Sequence, residues 1–118
     1  LQSTSSIIIG GEAFRGGSGF SAFQAVNNVA LGYKAGYAAQ TGSDNNILLG
    51  YQAADNLTTG ANNIVIGYDV DLAVATQDNT LNIGNLLFGT GIDGTGTSLS
   101  SGNIGIGTTS PYAKLSVA

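Results

Sequence analysis

Asn46-Ile47-Leu48-Leu49-Gly50 and Asn63-Ile64-Val65-Ile66-Gly67 are the same phrase written twice: an asparagine, three apolar residues and a closing glycine. It recurs upstream as Asn28-Val29-Ala30-Leu31-Gly32, and downstream as Thr80-Leu81-Asn82-Ile83-Gly84 and Asn103-Ile104-Gly105-Ile106-Gly107. An opening copy stands at Ser6-Ile7-Ile8-Ile9-Gly10. The closing glycines Gly32, Gly50, Gly67 and Gly84 are 18, 17 and 17 positions apart. A near-constant short period means one supersecondary unit stacked on copies of itself. Each triplet is rich in Ile, Leu and Val and bounded by Gly, Asn, Asp, Ser or Thr, which reads as a short strand between turns. The fold class expected is therefore all-β, a repetitive parallel β-solenoid or β-roll.

Small residues fill the space between triplets. Gly32-Tyr33-Lys34-Ala35-Gly36-Tyr37-Ala38-Ala39-Gln40-Thr41-Gly42 is answered by Gly50-Tyr51-Gln52-Ala53-Ala54-Asp55-Asn56-Leu57-Thr58-Thr59-Gly60. Backbones that approach closely need small side chains, and corners of positive φ need Gly or Asn. A second strand per repeat is expected around Ala35–Thr41 and Ala53–Thr58, and Asp69–Ala75 reads as a further strand or arm. Gly89-Thr90-Gly91-Ile92-Asp93-Gly94-Thr95-Gly96-Thr97-Ser98 breaks the rhythm as an inserted loop. We accordingly expect a repeat region over 1–84, then a Gly/Thr loop and terminal repeat over 85–118, with a soft boundary near Asn85.

In a half-buried strand only alternate side chains need be apolar. Here the outer pairs Val29/Leu31, Ile47/Leu49 and Ile64/Ile66 are apolar, and so are the central Ala30, Leu48 and Val65. Both faces are expected to be covered, one inside the repeat and one by a sister chain, because a thin stack of this length buries too little surface alone. The positions assigned to the core and trimer seam are Val29, Leu31, Ile47, Leu49, Ile64, Ile66, Leu81, Ile83, Ile104 and Ile106. A homotrimer is the preferred packing, with end-to-end polymerisation also open, since the flanks Leu1–Ser6 and Lys114–Ala118 lack strong end caps.

Composition narrows the functional classes. The 118 residues carry three Lys/Arg and seven Asp/Glu, a net charge of −4, with Arg15, Lys34 and Lys114 scattered. That pattern offers no groove for phosphates, so nucleic acid is not an expected partner. No apolar run approaches the roughly 20 residues that span a bilayer, so no membrane insertion is expected in this segment. The chain begins at Leu1 and has no methionine, which reads as a processed product or fragment. Without histidine or cysteine, the commonest general base and the thiolate nucleophile are missing. The chain reads as non-enzymatic, with no catalytic residues, no cofactor and no metal site. The histidine-dependent acyltransferases of hexapeptide β-helix type are disfavoured on the same ground.

Some positions stack by register. Asn28, Asn46, Asn63 and Asn103 precede their strands at equivalent places and are expected to form an amide ladder along the stack. Tyr33, Tyr51 and Tyr68 each follow a closing glycine and would form an aromatic column, covering the core or contacting a ligand such as a sugar ring. Asp69, Asp71, Asp78 and Asp93 are the only acidic cluster and read as solvated turn carboxylates, ahead of acid–base or calcium roles.

The run from Asn28 to Gly50, an Asn-x-apolar-x-apolar-Gly strand with small-residue arms, resembles the head repeats of trimeric autotransporter adhesins. The resemblance covers about residues 27–84, with longer repeats and a bulkier Tyr after glycine in this chain. It implies a trimeric, left-handed parallel β-roll. The segment Ser101-Gly102-Asn103-Ile104-Gly105-Ile106-Gly107-Thr108-Thr109-Ser110-Pro111-Tyr112-Ala113-Lys114-Leu115-Ser116-Val117 resembles one found in phage tail fibres ahead of a C-terminal intramolecular chaperone domain. These resemblances imply a trimeric shaft or head of a tail fibre or adhesin, at the cell surface, outside the cell or on a virion tail, that attaches to a host glycan or receptor. The alternatives are a subunit of a self-assembling extracellular filament, an ice- or glycan-binding repeat module, and a polysaccharide-cleaving tailspike.

Overall fold

The computed structural model describes residues 5–16 and 24–118, so Leu1–Thr4 of the opening flank lie outside the described residues. Eight three-residue strands form one sheet in sequence order: β1 (Ile7–Ile9), β2 (Val29–Leu31), β3 (Ile47–Leu49), β4 (Ile64–Ile66), β5 (Leu81–Ile83), β6 (Leu87–Gly89), β7 (Ile104–Ile106) and β8 (Leu115–Val117). Among the described residues there is no helix. At about 4.8 Å between strands, the stack accounts for most of the molecule's 42 Å long dimension.

The first five strands are parallel and in register, so Val29 faces Ile47, Ile47 faces Ile64 and Ile64 faces Leu81. A one-residue slip would turn every triplet inside out. Register is held by the central residues: Ala30, Leu48 and Val65 are wholly buried against Ala35, Ala39, Ala53, Ala54, Leu57 and Phe14. The interior column then changes character, with Asn82 central in β5, Phe88 in β6, Gly105 in β7 and Ser116 in β8.

The parallel expectation fails at β6, which runs antiparallel to both neighbours. Its cause is local. Gly84 and Asn85 both adopt positive φ (61° and 55°), and the Leu86 N–H donates to the Ile83 carbonyl at 3.1 Å. Gly84 and Asn85 are thus the central pair of a tight turn within the three-residue connection 84–86, which brings Leu87 back opposite Ile83 as an antiparallel hairpin. β7 reverses the direction again, and β8 pairs parallel with it. The sheet runs unbroken through the expected boundary near Asn85.

A second correction concerns the connections, because Ala35–Thr41, Ala53–Thr58 and Asp69–Ala75 are turns and bends instead of strands. Alternate N–H groups close local turns (Ala35 to Gly32 O, Tyr37 to Lys34 O, Ala39 to Gly36 O). Intervening ones reach neighbouring connections (Lys34 to Gly11 O, Gly36 to Ala53 O, Ala38 to Asp55 O). Positive φ at Lys34, Gly36, Gln52 and Ala54 produces this winding. The backbone groups are satisfied as in a sheet, but the chain is too coiled to be one.

Candidate functional site

The asparagines form a buried ladder. The N–H of Asn46 donates to Asn28 Oδ1 (2.9 Å), that of Asn63 to Asn46 Oδ1 (2.9 Å), and that of Thr80 to Asn63 Oδ1 (3.0 Å). Ser6 Oγ occupies the equivalent place beneath Asn28. The amide nitrogens bond sideways, from Asn46 to Gly60 O and from Asn63 to Gln77 O. The ladder's bonds run between repeats, except that the Asn28 amide donates to Val26 O within its own (3.2 Å). Asn103 stands apart, because β6 separates β7 from β5. It bonds Thr90 Oγ1 and Pro111 O instead.

Each ladder residue is preceded by one in the left-handed region: Asn27, Asn45, Asn62 and Asn79, all with φ between 54° and 59°. Asparagine tolerates that region better than most residues. The doublets Asn27-Asn28, Asn45-Asn46 and Asn62-Asn63 are their sequence signature, which the reading of single asparagines passed over.

Tyr33, Tyr51 and Tyr68 stack face to face, with centroids 5.6 and 5.1 Å apart and planes within 24° and 12°. Each stacked face is lost to a sugar ring. What the column offers to solvent is its edges and the outer face of Tyr68, which is 77% exposed. Lys34 Nζ lies 5.4 Å from the Tyr33 ring centre and 5.0 Å from that of Tyr37, so the other end of the column carries a cation. Tyr33, followed by Glu12, holds the Lys34 ammonium above its ordinary pKa.

The four aspartates do not form one cluster. Asp78 Oδ1 accepts the Ala61 N–H at 2.7 Å. Asp93 accepts the Ser101 hydroxyl and N–H at 2.6 and 2.7 Å, and these bonds hold its carboxyl below the usual range. Lys114 Nζ caps the Ser101 and Gly102 carbonyls of the same loop at 2.6 and 2.8 Å. Asp69 and Asp71 lie together on the last connection before β5. Although Asp71 stays open to water, partial desolvation and then the neighbouring Asp55 carboxylate raise its pKa. Among the described residues no acidic group has the arrangement of a metal site.

The residues assigned to the core and seam fall on the sheet face opposite the buried column. On that face every position except Gly89 is Ile, Leu or Val. Ile9 is 65% exposed and Val117 64%, while Val29, Leu49, Ile64, Ile66, Leu81, Ile83 and Ile104 are half-buried by their strand neighbours alone. Gly89 lets the row close up, since a methyl group there would meet Leu81 and Ile104. The result is a ribbon two side chains wide and eight strands long, uncovered in the single chain. In comparisons with protein-family models, curated proteins and solved structures, the chain matches none.

Proposed function

We propose that this chain is a non-enzymatic β-solenoid segment of a surface fibre. Sister chains pack as a homotrimer, and the assembly serves as the shaft or head of a tail fibre or adhesin that attaches to a host glycan or receptor. One observation carries the proposal: the uncovered ribbon of Ile, Leu and Val along the outer face of the sheet. Contiguous apolar surface of this kind marks an association site. Burying a side chain such as Ile or Leu contributes about 1.5–3 kcal/mol, so covering a half-exposed row of them is strongly favourable. The ribbon's length is that of the stack, which suits an identical chain lying parallel to it. Three such ribbons facing a shared axis leave none in water.

The buried amide ladder supports a mechanical role, because it ties repeats together along the stack by bonds that must break cooperatively. Absence of histidine and cysteine, with the aspartates dispersed, favours a scaffold over a catalyst. Native mass spectrometry of the purified chain tests the reading directly. Three chain masses is the expected result. A compact monomer or dimer at working concentration overturns the trimer, and long threads by electron microscopy would favour the filament.

A further inference from the structure

The second residue after each closing glycine forms a column of its own beside the tyrosines. Glu12, Lys34, Gln52 and Asp69 hold equivalent places, each with φ between 51° and 57°. Their amides bind the connection before them: Lys34 N–H donates to Gly11 O (2.9 Å), Gln52 N–H to Tyr33 O (2.8 Å) and Asp69 N–H to Tyr51 O (2.8 Å). The backbone is thus constant along the column while the charge is not. Lys34 is positive, Gln52 neutral and Asp69 negative.

The surroundings extend this contrast. Next to Lys34, the Arg15 guanidinium lies 5.8 Å from the Tyr37 ring centre and donates to the Tyr37 hydroxyl at 3.2 Å. Glu12 approaches Arg15 and Lys34 at 3.6 and 3.9 Å, so two cations and one carboxylate leave this end net positive. At the other end, partial desolvation and then the carboxylates of Asp55 and Asp69 raise the Asp71 pKa, which marks acids crowded together. Among the described residues no cation pairs with any of these three. Between the two ends run Tyr33, Tyr51 and Tyr68, all exposed, in nearly equal steps of 5.6 and 5.1 Å.

A two-fold axis normal to this face at the level of Tyr51 and Gln52 carries Lys34 onto the place of Asp69 and Tyr33 onto that of Tyr68. The patch is therefore complementary to itself reversed, which is the requirement for an isologous two-fold interface. We propose that this face docks a second copy of the chain turned end for end, with Lys34 of each copy against Asp69 of the other and the tyrosine columns between. Aromatic residues in the core of a patch and charges at its rim are common at protein interfaces. Charge also selects the orientation, because a parallel copy would set Lys34 against Lys34 and Asp69 against Asp69. The patch shares no residue with the outer ribbon, so the docking goes beyond the trimer and does not depend on it. Trimers would be linked side by side, and single chains in twos.

The test is light scattering by the full chain at about 0.01 M and about 1 M salt, where the screening length is about 30 Å and about 3 Å. Lys34→Asp and Asp69→Lys are the variants. They exchange residue types that the two positions already hold at φ of 57° and 53°, and circular dichroism checks that both fold. The parent is expected to gain mean mass at low salt. Each variant alone should associate at least about tenfold more weakly, since like charges then face each other at both contacts. In a parallel pairing neither change would matter, because like already faces like. An equal mixture of the two variants should recover association, each offering the other the opposite charge. A parent mass equal at both salts, a variant that associates as well as the parent, or a mixture that stays apart overturns the docking. The trimer is read as the mass at high salt and the docking as its rise at low salt, so the two readings fail separately.

Discussion

Asn46 sits in the middle of the buried ladder, and its replacement by alanine separates two kinds of loss. The side chain donates to Asn28 Oδ1 (3.2 Å) and Gly60 O (3.0 Å) and accepts the Asn63 N–H (2.9 Å). Asn28 Oδ1 keeps a partner in the Asn46 N–H, so Asn46→Ala orphans two buried groups, the Asn63 N–H and the Gly60 carbonyl. At about 1–3 kcal/mol for each orphan, the expected loss is about 4 kcal/mol per chain, a large part of the roughly 5–15 kcal/mol that holds a domain together. Asn46→Asp gives a sharper result. It keeps the acceptor for Asn63 but places a second carboxylate oxygen against Asn28 Oδ1 and Gly60 O, where an N–H stood. At neutral pH it should be worse than alanine. A carboxyl group buried among oxygens has its folded pKa above the ordinary value of about 3.9. The folded state therefore binds the proton more tightly than the unfolded one, and stability returns as pH falls through the folded value. Urea unfolding followed by far-UV circular dichroism at neutral and acidic pH reads both effects. Asn46→Ala within about 1 kcal/mol of the parent, or Asn46→Asp no more damaging than Asn46→Ala at neutral pH, would refute the ladder as a source of stability.

Three other perturbations probe separate parts of the molecule. Ile66→Asp, on the half-buried outer face, should cost the isolated chain less than about 1.5 kcal/mol yet dissolve the assembly, because a carboxylate in an apolar seam has no partner. Unchanged native mass and melting would show that this face is not the seam. Gly50→Ala places a methyl group on the Gly67 carbonyl oxygen at a backbone φ of 134°, and the strain should cost about 2–4 kcal/mol. A melting temperature equal to the parent's would mean that the closing glycines do not need to approach so closely. Asp71, whose pKa is raised by desolvation and then by Asp55, weakens the fold when ionised. Its folded pKa lies above its unfolded one, so this penalty is present near neutral pH and disappears as pH falls through the folded value. Asp71→Asn should be at least as stable as the parent near pH 7, with the two melting curves converging toward about pH 3. A parent more stable than Asp71→Asn at pH 7 would contradict that sign.

What could be read from the chain alone was whatever a single repeat states by itself. The triplets Ile47–Leu49 and Ile64–Ile66 announce strands because their alternation and bounding residues are local, and period then implies register. Asn28, Asn46 and Asn63 announce a ladder because three copies align. The winding of the connections was not legible, since Lys34 and Gln52 take left-handed φ without being residues that favour it. Bonds to Gly11 O and Tyr33 O on the preceding connection, invisible to any one repeat, hold them there. Other misses left a trace. Gly84-Asn85 is a recognisable hairpin turn, and Asn85-Leu86-Leu87-Phe88-Gly89 repeats the asparagine-led phrase itself but follows Gly84 directly and so falls off the period.

That single departure from periodicity has a spatial consequence that no motif could carry. A connection in step with the others would have covered the inner face again, leaving the interior column closed from Ala30 onward. By spending three residues on a turn instead, the chain sets the half-buried Phe88 directly beside Asn82. Asp69, Asp71 and Gln77 are among the residues around the opening. Repetition makes the outer face uniform, which suits association with identical chains, but a uniform surface cannot distinguish one ligand from another. At β6 the repeat is broken, and the break leaves a cavity instead of a loose end.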